Sequence, residues 1–335
     1  MICFSPVQIK GYFIFFLISF LLVACKNQTS EEVVSTSPSI EVRKLSAFFK
    51  ISLAQWSLSK PILSGEMDPM DFAQKANEMG FDGIEYVSQL YSPLYKDSAN
   101  PKAALQIVLD TLKARSEQYD VENVLIMVDG EGDLASNSEA ERNLAVENHK
   151  KWVDAAEYLG AHSIRVNLFG SDVPEEWKTN AVDALTKLGG YASTKGINVL
   201  VENHGYLSSN AKLLVEVMNE VDRENVGTLP DFGNFCLERK GGERWEAECI
   251  VEYPKYQGVK ELMAHAKAVS AKSFDFDDSG AETTIDFRKM LQIIKDAGYT
   301  GWIGVEYEGN RLPAEEGIGA TRDLLVEVGN ELSRN

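Results

Sequence analysis

The chain has 335 residues, 44% of them hydrophobic and 25% charged, which suits one large α/β barrel or two medium domains with a substantial core. Its 51 acidic side chains outnumber 33 basic ones, for a formal net charge of −18; such a surface repels phosphate backbones and excludes nucleic acid as a partner. Four cysteines are too few and too scattered for a disulfide framework.

The first segment differs in kind. Residues 11–25, GYFIFFLISFLLVAC, are apolar and follow one positive charge at Lys10. The run is too short and one-sided for a stable membrane span and has the pattern of an export signal. Its end, Leu22-Val23-Ala24-Cys25, resembles the lipobox of bacterial lipoproteins. That resemblance implies removal of residues 1–24, lipid on Cys25, and a protein held at a membrane by that lipid, in the periplasm or at the cell surface. Residues 25–47 are polar and Ser/Thr-rich and are expected to form a flexible tether. Cys236 and Cys249 then remain; in an oxidising compartment they either pair or pack as two small buried side chains.

From residue 48 to 335 short β-rich runs alternate with helical patterns. Candidate strands fall at 49–56, 83–87, 123–130, 163–170, 198–205, 226–234, 268–275 and 302–309. Several joints repeat one motif of helix end, glycine, short turn and strand, as in EMGFDGIEYV and DAGYTGWIGVE. Apolar strand runs suit a parallel sheet buried on both faces. Eight βα units point to a closed (β/α)8 TIM barrel; a doubly wound sheet would normally show a Gly-rich phosphate fingerprint, and none is present.

In such barrels chemistry sits at the C-terminal strand ends. The polar groups there are Gln55 and Trp56, Glu85, Asn167, Glu202 and His204, Asp231 and Asn234, Lys272, and Glu306 and Glu308. A carboxylate facing a barrel interior is costly unless it is paired or bound to a cation. Several converging on one mouth suggest a divalent metal, Mg or Mn for oxygen ligands and Mn or Zn if His204 joins them. The competing expectation is an ion-pair network around Lys272 with no metal. His149, His162 and His265 are expected to be packing or surface residues. The long loop 236–258, with Trp245 and other aromatics among basic residues, is expected to be either a substrate-stacking lid or a satellite helix on the rim.

The segments VENHG (201–205), PDFGN (230–234) and GVEYEG (304–309) together resemble the xylose isomerase-like TIM barrels, the superfamily of sugar isomerases and epimerases that includes endonuclease IV. The resemblance covers about residues 48–330 and implies a metal held by Glu202, Asp231, a strand-seven residue and Glu306, with the two glutamates also moving protons. The strand-seven position that is commonly histidine is Ser270 here, and Asn234 stands where epimerases often place a histidine. Glu202 and Glu306 are thus the expected proton-transfer groups. Asp231 is a metal ligand, and Lys272 and His204 steady an oxyanion or bind hydroxyls. Gln55, Trp56, Glu85, Asn167, Asn234, Trp245 and Glu308 complete the expected substrate contacts. The implied activity is isomerisation or epimerisation of a non-phosphorylated carbohydrate. The alternatives are a 3-keto-glycoside lyase acting by β-elimination and a non-catalytic carbohydrate-binding lipoprotein.

Overall fold

The computed structural model describes residues 47–243 and 247–334. The signal and lipidation expectations at 1–25, and all of the expected tether but its last residue, lie outside the described residues, as does Trp245. Eight strands form one parallel sheet: β1 (Lys50–Ala54), β2 (Gly83–Val87), β3 (Glu122–Val128), β4 (Ser163–Val166), β5 (Asn198–Glu202), β6 (Val226–Leu229), and, after a two-stranded insertion, β9 (Val269–Ser273) and β10 (Trp302–Tyr307). The insertion is an antiparallel hairpin of β7 (Cys236–Arg239) and β8 (Cys249–Glu252).

Consecutive strands pair in order from β6 back to β1, and β1 continues through β10 to β9. Backbone hydrogen bonds from Lys267 N to Thr228 O (3.1 Å) and from Ser270 N to Pro230 O (2.9 Å) join the last gap and close the ring. The strand interiors are apolar and buried (Val124–Val128 and Val199–Val201, for example), as a sheet covered by helices demands. Helices such as Glu139–Leu159 and Pro174–Ser193 cover it, the first starting from a Ser138 cap and ending at Gly160 in the left-handed region. All eight sequence-derived strands are present. All but β2, which keeps its expected bounds, are shorter at their C-terminal ends, where the chain leaves the ladder near the polar residues. Pro230, which has no N–H to give, marks that exit after β6.

Two glycines set the interior. A side chain at Gly83 would meet the Trp302 ring at 2.6 Å, and one at Gly304 would meet Glu85 Oε1 at 2.5 Å. The first makes room for Trp302 within the barrel, and the second for a carboxyl group. No described helix is long and apolar enough to cross a membrane.

Candidate active site

The strand ends carry the chain's polar groups to one mouth of the barrel. Glu202 ends β5, Asp231 follows β6, Ser270 and Lys272 point from β9, and Glu306 from β10. All are buried, Asp231 at 0%, Lys272 at 1%, Glu202 at 2% and Glu306 at 3% exposure. One carboxylate oxygen from each of Glu202, Asp231 and Glu306 lies within 4.8 Å of the others.

Each carboxylate has different company. Glu202 Oε2 is 2.8 Å from Arg165 Nε, and its Oε1 accepts from Asn234 Nδ2 at 2.9 Å. The Arg165 contact is ionic rather than an aligned hydrogen bond. Asp231 Oδ1 accepts from the backbone N–H of Gly233 and Asn234 (2.8 and 2.7 Å), while its buried Oδ2 has no hydrogen-bond donor among the described residues. Asn203 accepts from Asp231 N at 2.7 Å and donates to the carbonyls of Asp231 and Asn234, clamping this turn. Glu306 Oε2 accepts from the Ser270 hydroxyl at 2.8 Å. Lys272 Nζ sits among Glu308 (3.0 Å), Glu306 (3.4 Å) and Asp231 (3.8 Å).

One ammonium therefore serves three carboxylates. Burial pushes Asp231 well above the usual carboxylate range and also raises Glu306; the Lys272 charge opposes but does not cancel it. Glu308 is less enclosed, and there the ammonium outweighs burial and lowers its pKa. Burial pulls Lys272 down, but the surrounding carboxylates hold it as an ammonium.

A second cluster stands beside the first. Arg165 Nη1 donates to Asp129 Oδ1 (3.1 Å) and Asn167 Oδ1 (3.2 Å). Asn167 Nδ2 donates to Asp129 Oδ1 at 2.6 Å, and His204 Nδ1 lies 2.7 Å from Asn167 Oδ1. Burial, with Arg165 and Lys272 nearby, pushes His204 down to about 4, so its ring is neutral at ordinary pH. Sequence reasoning missed Arg165, Asp129 and Asn203. The signal for Arg165 was its strand parity with Asn167 in SIRVN.

A cavity of about 1700 Å³ opens on this cluster; its wall includes Trp56, Asp129, Arg165, His204, Asn234, Glu306 and Glu308. Glu202, Asp231 and Lys272 lie behind that wall. Gln55 and Glu85 do not reach it. Gln55 is a brace: it donates to Tyr91 Oη at 2.7 Å and accepts from Val87 N at 2.9 Å. Glu85 lies inside the barrel, with Ser52 donating to its Oε1 at 2.6 Å and its Oε2 unpaired; burial pushes it up to about 8. His204 stays outside the carboxylate triad and turns its Nδ1 to Asn167. His149 is buried against the Ala145 carbonyl, as a packing residue. The loop expected to be a lid or a satellite helix contains the β7–β8 hairpin, joined by a Cys236–Cys249 disulfide with Cα atoms 5.8 Å apart, and it brings Arg239 to the cavity wall.

The triad passes a chemical test for a divalent cation. Its donors are oxygens, and Asp231 Oδ2 is a buried acceptor with no donor among the described residues, which a hard cation would satisfy. Ser270 offers only a hydroxyl where the resembled family commonly has an imidazole, and it is committed to Glu306.

Known proteins are similar in the same terms. An inosose dehydratase of Geobacillus thermodenitrificans is 27% identical over 146 residues, 40% of this chain and 48% of that enzyme, so the match spans about half of it. The solved structure of the zinc-bound IolI protein superposes with a TM-score of 0.59 at 18% identity, covering 84% of this chain and 99% of that one. The 3-keto-D-glucoside 4-epimerase YcjR of E. coli gives a TM-score of 0.61 at 15% identity, over 83% and 98% of the two chains. At these identities the two structures establish a shared fold. The model of the xylose isomerase-like TIM barrel matches residues 73–327, most of the chain, and the protein belongs to that family.

Proposed function

We propose that the protein is a sugar-modifying enzyme that moves a proton at a carbon beside a carbonyl, as an isomerase or epimerase of a non-phosphorylated carbohydrate. The observation that carries this reading is the meeting of Glu202, Asp231 and Glu306 within 4.8 Å at the inner end of a cavity that Glu306 lines. Glu202, Asp231 and Glu306 would hold a divalent cation (Mn, Mg or Zn), which when bound supplies a Lewis acid for a carbonyl oxygen.

The residues of the chain do the rest. Glu306 takes the carbon-bound proton and delivers it to the neighbouring carbon in an isomerisation; in an epimerisation a second group returns a proton from the opposite face. The upward-shifted pKa of Glu306 brings acid and base forms closer in population near neutrality than an ordinary carboxylate allows. Lys272 balances negative charge as it grows on the substrate oxygen. Trp56 offers a ring face to a sugar, and Asn234 an amide at the rim. Carboxylates outnumber basic side chains along the cavity wall, which disfavours a phosphorylated ligand. The export-type first segment likewise supports action outside the cytoplasm as a lipid-anchored protein.

One observation favours β-elimination as a second reading. Glu202 is sealed behind Arg165 and Asn234, leaving Glu306 as the triad member on the cavity wall. A single base suffices to remove the proton while the C–O bond at the neighbouring carbon breaks and its electron pair leaves with the oxygen. Incubation of the protein with free ketoses and with 3-keto-glucosides in D2O, followed by proton NMR, tests both. Deuterium entering beside the carbonyl supports the first reading, and an unsaturated product supports the second. Neither, with or without added Mn²⁺, would overturn the enzyme reading.

A further inference from the structure

Of the basic side chains on the cavity wall, Lys60, Lys75, Arg165 and Arg239, Arg165 is the buried one, at 4% exposure. It does not come from a strand end. Arg165 stands opposite Met127 on β3 and Leu200 on β5. The carboxylates it meets, Asp129 and Glu202, lie two residues further along those strands, about 7 Å nearer the mouth at the rise of a β-strand. The length of the side chain carries its guanidinium up from the layer below and sets it between them.

A guanidinium has five N–H groups in one plane and accepts nothing. Nη1 donates to Asp129 Oδ1 (3.1 Å) and Asn167 Oδ1 (3.2 Å). Nε faces Glu202 Oε2 at 2.8 Å and is sealed from solvent. Nη2 makes no hydrogen bond to any described residue, and it is not sealed away as Nε is. With two nitrogens committed, a side chain that lines the cavity has the third to offer. Lys272 has no such freedom: it lies behind the wall, its ammonium among Glu308, Glu306 and Asp231. Arg165 also borders the triad, because the Glu202 it touches meets Glu306 within 4.8 Å.

We propose that Arg165 is a catalytic residue whose Nη2 donates to the carbonyl oxygen of the keto sugar and holds the charge which that oxygen gains when Glu306 removes the neighbouring proton. The assignment rests on the carbohydrate reading above. In that step the proton goes to Glu306, the C–H electron pair becomes the new C=C bond, and the carbonyl π pair moves onto oxygen. A guanidinium suits the place, since it stays protonated at any working pH. Asp129, Asn167 and Glu202 fix its plane before the substrate arrives, so no reorganisation is needed as the charge develops. Lys272 then balances the site from behind, while Arg165 makes the contact.

The test is NMR of the full chain labelled with ¹⁵N at arginine, with glycolohydroxamate as a planar mimic of an enediolate. Arg165→Lys keeps a cation beside Asp129 and Glu202 and assigns the Arg165 signal by its loss. If that variant does not fold, Asp129→Asn, which alters the Nη1 side, assigns the same signal by its shift. Expected is a shift of the Arg165 guanidinium signal on saturation with the mimic. Calorimetry should show the mimic binding about 10-fold more weakly to Arg165→Lys, the loss of a hydrogen bond from a charged donor. Xylitol, which has no carbonyl, should bind both proteins equally. On any sugar that turns over, Arg165→Lys should lower kcat by about 10²- to 10³-fold with little change in KM, whereas an arginine with only a structural role would show itself in Tm. An Arg165 signal unmoved by saturating mimic, no binding of the mimic at millimolar concentration, or an unchanged kcat in folded Arg165→Lys overturns the proposal. Mimic bound at Arg165 without turnover of any sugar would sink the proposed function and leave this contact standing. Turnover with an unmoved Arg165 signal would do the reverse.

Discussion

Glu202 and Glu306 meet within 4.8 Å, yet their surroundings are opposite. On the β5 side Glu202 has both oxygens engaged, one by Arg165 and one by Asn234, and Arg165 is itself tied to Asp129. On the β10 side Glu306 shares a single ammonium with Asp231 and Glu308. The first arrangement fixes a carboxylate as an acceptor. In the second, burial raises Glu306 and Asp231 toward protonation, neighbouring carboxylates add to it, and the one shared ammonium does not cancel it. The same residue type thus serves as a fixed wall on one side and an exchangeable proton site on the other.

The largest effect should come from removing that exchangeable site. Glu306→Gln is expected to lower turnover by about 10²- to 10⁴-fold, the range for loss of a general base. Glu202→Gln should cost less, since its neighbours and not its proton define its place. Equal losses in the two variants, measured as kcat on the same sugar, would erase the asymmetry and make both glutamates proton carriers. Next is Lys272→Met, which leaves three carboxylates facing each other without their cation. Breaking a buried pair of this kind costs about 3–5 kcal/mol, read by thermal or urea unfolding. Millimolar Mn²⁺ should restore more stability to this variant than to the wild type. An Mn²⁺ response no larger than in the wild type would mean that the triad does not accept a cation.

A third prediction concerns the carboxyl inside the barrel. Glu85 is raised from 4.5 to about 8 in the fold. In the unfolded chain it gives up its proton near its ordinary value, whereas the folded chain keeps it until about pH 8. Unfolding therefore becomes easier as pH rises through that window. Between pH 5 and 7 the wild type should lose about 2.5 kcal/mol of stability from this group, a slope absent in Glu85→Gln. Asp231 and Glu306 tilt both proteins the same way, so the quantity to measure is the difference between the two Tm-against-pH curves. Parallel curves would show that Glu85 is already ionised in the fold.

The barrel was legible in the sequence because strands buried on both faces read as unbroken apolar runs, and their glycine-marked joints recur. Glu202, Asp231, Lys272 and Glu306 were legible because a polar residue at the end of such a run has few structural excuses. Gln55 and Glu85 satisfied the same rule, and the structure gives them other places. Gln55 is held by Tyr91 and Val87, and Glu85 occupies room left by Gly304; partners so distant in sequence leave no local trace. Arg165 escaped notice for the complementary reason. It sits within a strand, and its value depends on Asp129 and Glu202 arriving from two other strands. The β7–β8 hairpin was hidden because CLER and CIVE are four residues each, too short for periodicity to separate strand from loop.

That hairpin supplies the smallest effect. The Cys236–Cys249 bond spans 13 residues, a loop whose closure restricts the unfolded segment by about 3 kcal/mol in the chain-entropy picture. Because β7 and β8 lie outside the eight-stranded ring, the cost of Cys249→Ser should fall on local opening of the hairpin rather than on the barrel. Deuterium exchange across 236–252 is expected to quicken while Tm moves by only a few degrees. Any functional cost should appear in KM rather than kcat, since Arg239 reaches the cavity wall from β7 but is far down the chain of contacts from Glu306. A Tm drop matching that of Lys272→Met would instead make the hairpin part of the barrel's cooperative unit, and the distinction between a rigid site and an added rim would fail.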